Sequence, residues 1–153
     1  MSMSYGAVYG YGLNARQLEA INQETLALFI KKHSSKFNKV WEDCEDKPLE
    51  EASLEEIIDF FYDYESDTGA YSQMAMIELI AEVMTKETGI RFAFVSFEEN
   101  MALLFTEAMP WRLNEKEKAL NSVEDLQKVF QPYLCDLGLP EEKIDAVELE
   151  WWG

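Results

Sequence analysis

Residues 89–106 read GIRFAFVSFEENMALLFT, two apolar runs at 90–97 and 101–106 joined by Glu98, Glu99 and Asn100. Phenylalanine, valine and isoleucine suit a pleated, half-buried strand, and a short polar joint between two such runs is most simply an antiparallel hairpin. The hairpin is expected at the centre of a sheet. Upstream of it, Met74, Ile77, Ile80, Ala81 and Met84 recur at helical spacing between Ser72 and Thr88, and Gly89 stands where a left-handed residue closes a helix. A helix therefore feeds directly into the hairpin.

Working outward, residues 3–13 place Tyr5, Ala7, Tyr9 and Tyr11 on alternate positions among Gly6, Gly10 and Gly12, which predicts an edge strand with close backbone approaches. Asn14 and Gln17 have the spacing of a capping box. The apolar set Leu18, Ile21, Leu26, Phe29 and Ile30 then predicts one helix or a broken pair over 15–33, with Lys31, Lys32 and His33 at the end that favours cations. Phe37, Val40 and Trp41 mark a short helix over 35–43, and Ser53 with Glu56 caps another that carries Leu54, Ile57, Ile58 and Phe61 to Tyr62.

Asn114 opens a helical turn, and Ser122 with Asp125 starts a final helix in which Pro132 predicts a kink or break before Gly138. The terminal VELEWW, 147–152, alternates like a half-buried strand. The expected fold class is α+β: a single acidic domain over 1–153, with a mostly antiparallel sheet of about four strands flanked by four or five helices.

Charge divides this chain more sharply than hydrophobicity does. Thirty acidic against thirteen basic residues leave −17, which excludes the usual basic mode of coating nucleic-acid phosphates, so no direct nucleic-acid binding is expected. Residues 1–41 carry +3, residues 42–67 carry −11 and the remainder carries −9. Glu55, Asp59 and Asp63 step by four along the helix after Ser53, about 6 Å apart at a rise of ~1.5 Å per residue. Duplex DNA presents one phosphate per ~3.4 Å of helix axis on each strand, so such a row samples roughly every second phosphate. Like charges at this spacing each destabilise a helix by about 0.2–0.5 kcal/mol, a cost answered by a cationic partner or accepted for solubility.

Residue types that carry familiar chemistry are sparse. Asp63, Glu65 and Asp67 alternate like the start of a calcium loop, but the sixth and twelfth positions are Thr68 and Met74 instead of Gly and Glu. The sequence has one histidine, two distant cysteines (Cys44 and Cys135, read as reduced thiols) and no glycine-rich phosphate loop. No catalytic residue, metal site or cofactor is therefore assigned. The N-terminal MSMSYGAVYGYGLN lacks a basic segment followed by an apolar run, and no stretch reaches the ~18 apolar residues of a membrane span, so a cytoplasmic protein without membrane contact is expected.

The segments DYESDTGAYS, TGIRFAF, PWRLNEKEK and the closing WWG, taken over most of the chain, resemble small acidic proteins of Gram-positive bacteria and their phages and mobile elements. That resemblance assigns no activity and no functional residue. By class it implies a mobile-element accessory protein, among which acidic anti-CRISPR and other anti-defence inhibitors that imitate DNA recur. The leading expectation is a non-enzymatic protein that docks on a basic surface of a nucleic-acid-binding protein. Glu50, Glu51, Glu55, Glu56, Asp59, Asp63, Glu65 and Asp67 would supply charge, with Tyr62, Tyr64, Tyr71 and Trp111 as anchors. Two other expectations stand beside it: an immunity-type module that binds one protein through aromatic residues such as Trp111 and Trp152, and a divalent-metal-dependent enzyme using the carboxylates of 59–67.

Overall fold

In a computed structural model the described residues are 5–42, 47–62, 64, 72–97, 100–106, 114–118, 120 and 122–152. Four strands, β1 (Tyr5–Leu13), β2 (Phe92–Phe97), β3 (Asn100–Thr106) and β4 (Asp145–Trp152), form one antiparallel sheet in the order β2-β3-β1-β4. The helices are α1 (Ala15–Glu19), α2 (Gln23–Lys32), α3 (Ser34–Glu42), α4 (Leu54–Tyr62), α5 (Ser72–Thr88), α6 (Glu115–Lys118) and α7 (Val123–Asp136), with a 3-10 turn at Leu49–Glu51. This is the expected α+β class.

The 89–106 hairpin forms as read, with Phe92 opposite Phe105 and Phe94 opposite Leu103. Its place in the sheet differs, because β2 lies at an edge while β1, expected at an edge, is interior between β3 and β4. The glycines explain the exchange. A Cβ on Gly10 would run into the Phe105 carbonyl oxygen and one on Gly12 into the Leu103 carbonyl oxygen, so both glycines admit a neighbouring strand backbone. The close approaches were legible in the sequence, but they serve an interior strand.

Alternation then sorts the sheet residues. Leu13, Phe92 and Leu103 join Phe29, Ile30, Phe61, Ile77, Phe130 and Leu134 in the main core under the helices, while Ala102, Leu104 and Val147 form a small cluster on the opposite face. Full burial of each large apolar side chain contributes roughly 1.5–3 kcal/mol before entropy is charged against it.

Helix ends follow local chemistry. Asn14 and Gln17 cap each other at the start of α1. The pattern over 15–33 breaks because Asn22 caps α2 anew, its Oδ1 accepting from the Thr25 N–H at 2.8 Å. Gly89 and Gly138 adopt positive φ as helix stops, and after α7 the Leu139 N–H returns to the Leu134 carbonyl in a Schellman closure. Of the kink or break expected at Pro132, the break does not occur: α7 runs from Val123 to Asp136. Pro132 is exposed while Leu126, Phe130, Tyr133 and Leu134 are buried, so the missing N–H falls on the solvent side and packing of the other face carries the helix through.

One buried carboxylate fixes the short α6 to the sheet. Glu117, whose side chain is fully buried, accepts from the backbone N–H of Arg91 and Asn114 and from the Arg91 guanidinium at 2.9–3.1 Å. Burial pushes its carboxyl up, but the Arg91 side chain, the two N–H groups and the Arg91 charge outweigh it and hold it below the ordinary carboxylate value. A depressed folded-state value contributes stability above the unfolded value, lost as pH falls through the folded one. Glu117→Gln is therefore expected to destabilise the domain by about 1–3 kcal/mol at pH 7. In urea titrations the gap to wild type should narrow progressively between pH 5 and pH 3; a gap that stays constant would refute this role.

Candidate functional site

The acidic segment is held from within. Trp41 of α3 is buried and its Nε1 donates to the Lys47 carbonyl at 2.7 Å, which ties the chain entering the 3-10 turn to α3. Leu49 and Ala52 are buried, leaving Glu50 and Glu51 exposed on the turn between them. Ser53 and Glu56 then form the expected capping box, each backbone N–H donating to the other's side chain at 3.1 Å. In α4, Ile57 and Phe61 face the core, and the opposite side carries Glu55, Glu56, Asp59 and Tyr62, all exposed.

These carboxylates are not equivalent. Lys47 Nζ lies 2.8 Å from Glu56 Oε2, and Glu56 is held below the ordinary carboxylate value by that lysine and by the Ser53 N–H. Its charge is thus answered inside the molecule. Glu50, Glu51, Glu55 and Asp59 make no ion pair among the described residues. Glu55 and Asp59, one helical turn apart, share a face of α4. Glu50 also lines an open groove of about 530 Å³ between α2, α7 and the 3-10 turn, whose walls carry both signs of charge through Lys31, Lys32 and Asp136.

The two tyrosines at this site differ. Tyr62 is 71% exposed, whereas Tyr64 is half-buried, its ring centroid 5.8 Å from that of Phe60 and 5.4 Å from that of Phe61. Tyr62 has the free surface of an anchor, and Tyr64 belongs to the core edge. Asp63, Glu65, Asp67, Tyr71 and Trp111 lie outside the described residues, as does Cys44; Cys135 is a free, exposed thiol.

Sequence reasoning missed the Lys47–Glu56 pair. Its only signal was the capping box, which turns Glu56 back toward the chain before Ser53, where Lys47 stands. Among the described residues no three histidine, cysteine, aspartate or glutamate side chains are arranged to hold a metal, and no helix is long and apolar enough to cross a membrane. Ionised carboxylates are acceptors only, so this face is chemically suited to lysine and arginine donors. Comparison of the chain with protein-family models, with curated proteins and with solved structures finds no match.

Proposed function

We propose that this is a non-enzymatic, cytoplasmic binding protein whose acidic face, Glu50, Glu51, Glu55 and Asp59, occupies the basic nucleic-acid site of another protein. Its sharpest form is an inhibitor of the anti-CRISPR or anti-defence type, encoded by a phage or mobile element. The observation that carries the reading is the pair Glu55 and Asp59, exposed, without cationic partners among the described residues, and aligned on a helix whose other face is anchored in the core. A rigid row of acceptors at roughly 6 Å spacing presents a lysine- and arginine-lined groove with charge where DNA would place phosphates. Complementary fields also speed encounter, and Tyr62 beside the row supplies an aromatic anchor.

The test is immobilisation of the protein on resin and passage of a bacterial lysate at 50 mM NaCl. Retained nucleic-acid-binding proteins should be released both by 500 mM NaCl and by duplex DNA. Retention that survives both elutions would favour recognition through an aromatic surface, with the acidity serving solubility.

A further inference from the structure

The two edges of the sheet are built differently. β4 at one edge carries Asp145, Glu148 and Glu150, the kind of charge that keeps an exposed strand from pairing with another chain. β2 at the other edge reads FAFVSF, without a charged side chain or a proline. On a chain of net charge −17 such a strand is a place where a second copy meets little local repulsion.

The outer side of β2 is sealed at its start. The Phe92 N–H donates to Thr85 Oγ1 of α5 at 2.9 Å, and that hydroxyl shares its hydrogen between the Ala81 and Phe92 carbonyls at 3.0 and 3.2 Å. Phe92 therefore turns its backbone polar groups away from β3. Those groups alternate along a strand with a period of two, so Phe94 and Ser96 also direct theirs outward, while Ala93 and Val95 turn to Leu104 and Ala102. Among the described residues nothing answers the outward groups of Phe94 and Ser96, and Ser96 is exposed.

This open stretch is symmetric. The Thr85 seal bounds it at Phe92 and β2 ends at Phe97, which leaves 93–97 centred on Val95. An antiparallel copy with its own Val95 opposite Val95 sets each Phe94 against Ser96 of the other copy, in the pairing that exchanges both hydrogen bonds. The added strand then ends before it reaches the seal. A register with Phe94 opposite Phe94 would instead drive Ser96 onto the sealed Phe92.

We propose that β2 is a self-pairing edge through which two copies of this chain join their sheets into one continuous antiparallel sheet. Pairing over so few residues belongs with interfaces below ~1,200 Å², so the dimer is weak and reversible. It stands apart from the acidic face, and salt separates the two. Screening relieves repulsion between two copies of net charge −17 and strengthens the dimer, whereas it weakens binding of a basic partner.

Sedimentation equilibrium from 5 to 500 µM protein, in 50 and 500 mM NaCl, tests this. The apparent mass should climb from 17.7 kDa toward twice that value, with a dissociation constant at least about fivefold lower at the higher salt. Ser96→Pro deletes an outward N–H, where an edge strand accepts proline, and should raise the constant at least about tenfold. Should that variant fail to fold, amide exchange of the wild type in 500 mM NaCl decides the matter. The Phe94 and Ser96 amides should exchange about threefold more slowly at 500 µM than at 5 µM, while the Val95 amide, turned toward β3, should not change. A monomer at every concentration, or a dimer that folded Ser96→Pro leaves intact, overturns the proposal. So does protection of Phe94 and Ser96 that ignores concentration, which would put a segment of the same chain on the edge.

Discussion

Reversing Glu55 and Asp59 together to lysine is expected to abolish binding of the basic partner while leaving the domain folded. Close charge pairs across interfaces couple by roughly 1.5–7 kcal/mol. Turning attraction into repulsion at two positions thus removes at least about 3 kcal/mol, more than a hundredfold in affinity. The fold has little at stake, since both side chains are exposed and neither pairs within the described residues. Relief of their mutual repulsion is worth about 0.2–0.5 kcal/mol, and placing a lysine in the first turn of α4 costs about 0.3–1 kcal/mol against the helix dipole. Thermal melts should therefore agree within a few degrees. Full binding by the folded double variant would remove α4 from the interface.

Gly12→Ala should cost more stability than the same methyl addition at Gly10, the other β1 glycine whose surroundings are described. Gly12 is buried in the interior strand β1, opposite Leu104. The added Cβ would collide with the Leu103 carbonyl oxygen and stand 2.7 Å from the Leu104 Cα. Both are backbone atoms in a paired strand, so no side-chain rotation relieves the clash. At Gly10 the second contact is the Leu104 Cδ1 at 3.0 Å, the movable end of a side chain, and the effect there should be smaller. Overpacking of this kind costs about 3 kcal/mol, which for a chain of this size lowers the melting temperature by roughly 6–12 °C. A Gly12→Ala protein that melts within 2 °C of wild type would show that the two strands are not held so closely.

What could be read from the residues was local. Capping pairs such as Asn14 with Gln17 and Ser53 with Glu56, and the glycine stops at 89 and 138, act over a few bonds, so the sequence carries them whole. Sheet order depends on which strands meet, and the tyrosine–glycine alternation of β1 fits an edge or a crowded interior equally well until Leu103 and Phe105 are placed beside it. Pro132 failed as a breaker for a similar reason, because a buried far face outweighs one missing hydrogen bond.

At the site, the density of carboxylates after Glu42 and their helical spacing were plain from the residues. Which charges were already answered was not, since Lys47 reaches Glu56 across nine positions through the fold.

The most direct test follows a fluorescently labelled DNA duplex bound to the purified partner recovered by salt and DNA elution, titrated with this protein at NaCl concentrations from 50 to 400 mM. The account predicts complete displacement of the duplex, with a half-inhibitory concentration that rises as more duplex is present and an inhibition constant that rises steeply with salt. Formation of a ternary complex that keeps the duplex bound, or an inhibition constant indifferent to salt, would contradict it.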